Sequence, residues 1–116
     1  MANMDYGDDE WRRKGATLSD KTARSEYGLT QDEIIAAINE GKLVYRSNSI
    51  YGNLWPRLLR REVEDLVRAL HGERYLREHQ AKTELKRVNR ELKQLRSQLA
   101  ALEQKRATLL SDLAEL

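Results

Sequence analysis

The stretch GLTQDEIIAAINEGKL, residues 28–43, carries in order the signals that start and end a short amphipathic helix. Thr30 and Glu33 have the spacing of a capping box, in which the hydroxyl accepts from the Glu33 amide and the carboxylate accepts from the Thr30 amide. The apolar positions repeat at the i, i+3, i+4 spacing of a buried stripe: Ile34, Ala37 and Ile38. Gly41 stands where helices often end. We therefore predict a helix over residues 31–40.

A second short helix is predicted immediately before this one. Ser19 can cap a helix over residues 20–27, and Asp20 suits its first turn because a carboxylate there complements the helix dipole. Gly28 then ends the helix, since glycine adopts a left-handed backbone freely. Two short helices joined by a three-residue turn form a helix-turn-helix unit.

A hairpin and a third helix are predicted to follow. Two short apolar runs, at residues 43–45 and 58–59, flank the segment RSNSIYGNLWPR, whose Asn, Ser and Gly content is typical of a hairpin loop. We interpret this region as a two-stranded wing. The next helix is predicted to begin near residue 61, and its inner face carries the aliphatic side chains Val63, Leu66, Val67 and Leu70.

Residues 18–70 resemble the winged helix-turn-helix of the excisionase and MerR superfamily. The resemblance is carried by the capping, turn and core positions Leu18, Ser19, Ala23, Gly28, Leu29, Thr30, Ile34, Ile38, Gly41, Lys42 and Leu43. It is also carried by RLLRREV, residues 57–63, which matches the return of the wing into the next helix. Most of these positions are structural, so the resemblance concerns the fold more than the activity.

The resemblance implies that the helix over residues 31–40 enters the major groove of double-stranded DNA. The implied reading positions are Thr30, Gln31, Asp32, Ile35, Ala36 and Asn39. The implied contacts from the wing and its surroundings are Arg46, Arg57 and Arg60 to phosphates, with Asn48, Tyr51 and Asn53 as helpers. Gln31 and Asn39 have the carboxamide chemistry that addresses adenine. Family members usually carry basic or hydroxyl residues where this chain has acids, and we interpret Asp32 and Glu33 as helix-start residues.

The C-terminal third has the heptad pattern of a coiled coil. Ten positions alternate in steps of three and four, and nine of them are aliphatic: Leu85, Val88, Leu92, Leu95, Leu99, Leu102, Arg106, Leu109, Leu113 and Leu116. Such a stripe needs a partner helix, and we predict a homodimer. Arg106 either selects the register of the pair or lies near a frayed end. Parallel and antiparallel pairing both remain open.

Composition limits the functions that this chain can have. Three regions are predicted: a flexible tail at 1–17, the winged domain at 18–72 and the coiled coil at 73–116. The alternative for the tail is that Trp11, beside Arg12, Arg13 and Lys14, docks on the domain or contacts a phosphate. The winged region holds eight acids and eight bases, whereas the coiled-coil region holds seven acids and ten bases. Cysteine is absent, and the two histidines, His71 and His79, are interpreted as solvated side chains. We therefore predict no enzyme activity, no metal, no cofactor and no small-molecule ligand.

The sequence predicts a cytoplasmic protein, nucleoid-associated if it binds DNA, because no membrane span or signal profile is evident. Two functions fit the pattern. The first is a mainly helical, dimeric DNA-binding protein, either a transcriptional regulator or an architectural or recombination factor. The second is a protein-interaction adaptor that uses the same head and coiled coil without DNA, and the zero net charge of residues 18–72 favours it. Steep salt dependence of DNA binding distinguishes the first from the second.

Overall fold

The structure, a computed structural model, describes residues 9–50 and 53–116. Within them the chain is mainly helical, with a small three-stranded antiparallel sheet and a long C-terminal helix. The elements in order are β1 (Thr17–Ser19), α1 (Asp20–Tyr27), α2 (Gln31–Asn39), β2 (Tyr45–Ile50), β3 (Asn53–Leu59), α3 (Arg60–His71) and α4 (Glu73–Ala114). The chain forms two compact units, Met1–Ala81 and Lys82–Leu116.

Local hydrogen bonds define both ends of the helix pair, as predicted. The Ser19 hydroxyl accepts from the Thr22 amide at the start of α1, and Gly28 ends α1 with a left-handed φ of 68°. At the start of α2 the capping box is complete: the Glu33 amide donates to Thr30 Oγ1 at 3.1 Å and the Thr30 amide donates to Glu33 Oε1 at 2.9 Å. These bonds satisfy amides that a helix start leaves without a partner.

The sheet is larger than the predicted two-stranded wing. Strand order is β1-β3-β2, with both pairings antiparallel. The segment interpreted as a hairpin loop is mostly strand, because pairing begins at Tyr45 opposite Leu58 and continues to Ile50 opposite Asn53. That interpretation was wrong in extent, since strand pairing outweighs the weak strand propensity of Asn and Ser. Pro56 opposes Ser47, and β1 pairs only with residues 57–59.

One apolar core joins α1, α2 and α3 to the sheet. Its fully buried members include Ile34 of α2, Leu58 of β3 and Val63 of α3. Leu66 and Val67 are buried as predicted. The core also contains residues that precede them in the chain, namely Leu18, Ala23, Tyr27, Leu29, Ala37 and Leu43. Leu70, predicted to face inward, is 47% exposed, because it lies in the last turn of α3.

Gly72 separates α3 from α4. Its φ of 92° is outside the helical range, so it ends α3 and is not an interior helix residue. The first turns of α4 then belong to the first unit: Leu76 is buried in the core, and the Tyr75 hydroxyl donates to the Gly28 carbonyl at 3.0 Å. This packing brings α4 against the turn between α1 and α2.

The second unit is the remainder of α4. Its side chains from residue 89 onward are all exposed in the single chain, including the leucines of the heptad stripe. The predicted long C-terminal helix is confirmed over Glu73–Ala114. Its pairing with a second copy stays a prediction.

Candidate nucleic-acid interface

The outer face of α2 is exposed at every position that the resemblance assigned to DNA reading. Gln31, Asp32, Ala36 and Asn39 are exposed, and Ile35 is 46% exposed although it is aliphatic. Thr30 is also exposed, but its hydroxyl already accepts the capping hydrogen bond. The buried face of the same helix holds it against the core, so this outer face is presented on a rigid element.

A groove of about 350 Å³ runs between α2 and the β2–β3 hairpin. It is lined by eight uncharged residues: Gln31, Ile35, Ile38, Asn39, Tyr45, Ser47, Trp55 and Pro56. Tyr45 is 50% exposed beside the exposed Ile35. The groove combines a largely apolar floor with two carboxamides, but none of its lining residues is a cation that could hold a phosphate.

The two acids at the start of α2 have different environments. Glu33 is turned toward its own unit: Oε1 accepts from the Thr30 amide, and Oε2 lies 2.8 Å from His71 Nε2. The hydrogen bond from the Thr30 backbone, followed by the contact with His71, lowers the pKa of Glu33 below its usual value. Asp32 is exposed. The interpretation of Glu33 as a capping residue is confirmed, whereas Asp32 faces any ligand of α2.

The guanidinium groups of Arg57 and Arg60, predicted as phosphate contacts, are bound within the protein. Arg57 donates to Thr17 Oγ1 at 3.1 Å and to the carbonyl of Trp11. Arg60 donates to the Gly15 carbonyl at 2.8 Å and to the Tyr27 hydroxyl at 2.7 Å. The structure therefore gives both side chains a role in holding the N-terminal segment, and their contact with phosphates stays a prediction.

Arg46 is exposed on β2, one of the two edge strands of the sheet. Its guanidinium lies over the Trp11 ring, 4.6 Å from the ring centroid. Of the predicted helpers in the wing, Asn48 and Asn53 are strand residues paired with Trp55 and Ile50. Their side chains, and Tyr51 entirely, lie outside the described residues.

The predicted flexible tail is partly ordered. Residues 1–8 lie outside the described residues, but residues 9–12 form a helical turn and Trp11 is only 4% exposed. Glu10 forms a two-pronged ion pair with Arg61, at 2.9 and 3.0 Å. Interpretation of residues 9–17 as a mobile arm was thus wrong, because a tryptophan and its arginine partners bind this segment to the sheet.

His71 is exposed, as interpreted, whereas His79 is half-buried, and both histidines contact a tyrosine. His71 and His79 flank Tyr75, with ring centroids 4.5 and 4.3 Å from the tyrosine ring. A spacing of eight residues does not place the two histidines side by side on a helix. Tyr75, four residues from each, contacts both rings. In residues 9–50 and 53–116 no group of three or more His, Cys, Asp or Glu side chains is arranged to hold a metal ion.

Nine of the ten predicted dimerisation positions form one stripe along α4, apolar except at Arg106, and Leu116 follows the end of the helix at Ala114. The leucines of the stripe are between 41% and 64% exposed, and Arg106 is exposed among them. Arg87 forms ion pairs with Glu84 and Glu91 outside this stripe. The polar and apolar faces of the helix are therefore distinct, as a coiled coil requires.

Comparison of the chain with protein-family models, curated proteins and solved structures returned no match. Among the described residues, none of the helices has the length and apolar character needed to cross a membrane.

Proposed function

We propose that this protein is a homodimeric, double-stranded DNA-binding protein whose α1–α2 pair acts as a helix-turn-helix of the excisionase and MerR type. In this function α2 enters the major groove and the β2–β3 hairpin acts as the wing. Two heads joined through the α4 stripe would read two half-sites, either as a transcriptional regulator or as an architectural or recombination factor. The joined heads bind with an avidity that exceeds the affinity of one.

The observation that carries the proposal is the position of two carboxamides on the exposed face of α2. Gln31 and Asn39 both line the groove beside the hairpin, and neither is buried. Eight residues at about 1.5 Å each separate them by about 12 Å along the helix axis, which is the rise of three to four base pairs. Each carboxamide is able to form a bidentate pair with adenine N6 and N7.

A selection experiment tests this proposal. The purified chain is used to select binding sites from a random duplex pool, beside the variants Gln31→Ala and Asn39→Ala. Each variant is expected to relax base preference at one or two positions, with discrimination reduced by about 1–3 kcal/mol. Gln94→Ala, which removes an exposed carboxamide from the second unit, is the matched control and leaves the preference unchanged. Identical selected sites in all four proteins would contradict the reading role of α2.

The groove itself favours the second candidate function, a protein-interaction adaptor. Its lining is uncharged and rich in apolar side chains, which suits an apolar segment of a protein partner better than a phosphate backbone. The adaptor function predicts no retention on DNA or heparin at low salt. A DNA-binding protein predicts retention that weakens steeply between about 50 and 200 mM salt, because counterions are released on binding.

A further inference from the structure

The N-terminal segment, residues 9–17, is bound to the sheet through Trp11. The Trp11 ring is nearly buried between two guanidinium groups, that of Arg46 at 4.6 Å from its centroid and that of Arg57 at 5.7 Å. Arg57 also donates to the Trp11 carbonyl. Cation–π contacts of this kind stabilise a partly desolvated tryptophan by about 0.5–2 kcal/mol each. The ring therefore fixes one end of the segment.

The rest of the segment is held by the start of α3. The Arg60 amide donates to the Ala16 carbonyl at 2.8 Å, and its guanidinium donates to the Gly15 carbonyl. Arg61 is paired with Glu10, and the hydrogen bond from Arg61 is the main reason that the pKa of Glu10 is lowered. The segment thus has a defined position from residue 10 to residue 17.

This anchoring leaves three consecutive cations on the surface. Arg12, Arg13 and Lys14 are exposed, and none of the three makes an ion pair with any described residue. Glu10 is already neutralised by Arg61, which leaves Asp9 as the other carboxylate of residues 9–17. Arg13 and Lys14 line a pocket at the start of α3 together with Arg60, Arg61, Glu10 and Glu64, and its four bases and two acids give it a net positive charge.

The proposed function requires exposed cations on the first unit. A DNA-binding protein depends on phosphate neutralisation for most of its nonspecific affinity. The lining of the groove next to α2 contains no cation, and Arg57 and Arg60 are bound within the protein. Residues 12–14 supply charges that these positions do not.

We infer that Arg12, Arg13 and Lys14, positioned by Trp11, form a surface that binds the phosphate backbone of nucleic acid. Arg46, which contacts the Trp11 ring, lies on β2 between two groove residues, Tyr45 and Ser47, so the segment is docked on a strand that borders the groove. The inference rests on the proposed function, since it assigns the phosphate contacts that DNA reading by α2 requires.

The test compares two triple variants of the full chain. The first, Arg12→Gln, Arg13→Gln and Lys14→Gln, removes the surface. The second, Lys86→Gln, Arg90→Gln and Lys93→Gln, removes the same charge from exposed positions outside the heptad stripe of α4. Binding to a random-sequence duplex of about 25 base pairs is measured by fluorescence polarisation between about 50 and 200 mM salt.

The slope of log affinity against log salt is expected to fall by about one per lost contact in the first variant, and affinity by about tenfold per contact at the lowest salt. The control variant is expected to change the slope by less than one. A chain lacking residues 1–8, which contain acids and no Lys or Arg, is expected to bind at least as tightly as the full chain. An unchanged slope in the first variant, or an equal change in both variants, overturns the inference while the proposed function stands.

Two further arms separate the inference from the proposed function. A wild-type chain that binds single-stranded but not duplex DNA, with the same dependence on residues 12–14, contradicts duplex reading and supports the phosphate surface. Binding to anionic lipid vesicles without binding to either form of DNA overturns both. If thermal denaturation shows that the first triple variant is not folded, the three single variants replace it. Each single variant is expected to change the slope by about one.

Discussion

Tyr27 gives the most quantitative prediction, because its hydroxyl joins α1 to α3 at a buried site. The side chain is 3% exposed, and its hydroxyl donates to Glu64 Oε2 at 2.8 Å and accepts from Arg60 Nη1 at 2.7 Å. Burial first, and then the hydrogen bond to Glu64, raises the pKa of Tyr27 from 10.0 to about 12, although Arg60 opposes the shift. The folded protein therefore favours the neutral phenol.

The sign of the pH dependence follows from this shift. Tyrosine is uncharged when protonated, so a pKa raised on folding adds stability that is fully present below pH 10 and is lost as pH rises from about 10 to about 12. Two pKa units correspond to about 2.7 kcal/mol, and about half of this is lost by about pH 11. Tyr27→Phe removes the titration and leaves the ring in place.

The assay is urea denaturation of the wild type and Tyr27→Phe at several values from about pH 8 to about pH 11.5. Between about pH 8 and about pH 11, the free energy of unfolding of the wild type is expected to fall by about 1.4 kcal/mol relative to that of the variant. Groups that titrate in both proteins cancel in this difference. A difference in unfolding free energy that stays constant over this range would refute the account of Tyr27.

Two other changes address the turn and the stripe. Gly28→Ala is expected to destabilise the protein by about 2 kcal/mol or more in thermal or urea denaturation, because φ is +68° and a Cβ would come within 2.6 Å of His79 Cε1. Gly41→Ala, with φ +78° and open space around it, is the matched control and is expected to show the backbone cost alone; equal losses would mean that the α4 packing at Gly28 is unimportant. Leu99→Ala is expected to weaken self-association about a thousandfold in sedimentation equilibrium, from about 2 kcal/mol per buried leucine in each of two chains. Ser97→Ala, outside the stripe, is expected to leave it unchanged, and a wild type that sediments as a monomer at micromolar concentration refutes the paired stripe.

Much of the helical structure was predictable because its determinants are local. The Ser19 cap, the capping box of Thr30 and Glu33, and the left-handed Gly28 all involve residues within four positions of one another. Such bonds form whenever the backbone is helical, so the residue types are sufficient to indicate them. The long C-terminal helix follows from its regular stripe in the same way.

The hairpin and the N-terminal segment were harder to predict. The strand YRSNSI has the composition of a loop. It forms because its backbone pairs with β3, and this pairing cannot be predicted from the residues of YRSNSI alone. Trp11 lies 46 residues from Arg57, whose guanidinium holds its carbonyl. A lone tryptophan beside three basic residues fits either a free arm or a docked one, and Trp11 was the one available signal for docking.

The candidate site shows the same division. Exposure of Gln31 and Asn39 followed from helix periodicity, since the core stripe lies on the opposite face. The assignment of Arg57 and Arg60 to phosphates stays a prediction, and nothing in the sequence indicated that both side chains also bind within the protein. Only the folded chain brings them to the carbonyls of residues 11 and 15.

By itself, the sequence determined where α1 and α2 begin and end and which stripe of α4 is apolar, because those features depend on neighbours a few residues apart. The tertiary structure decided which cations stay exposed, which acids are neutralised and how three strands pair. These depend on contacts between residues roughly 40 positions apart, such as Thr17 with Arg57. A charge is available to a partner only if such contacts leave it free, and this is the physical reason that function was less predictable here than the helices.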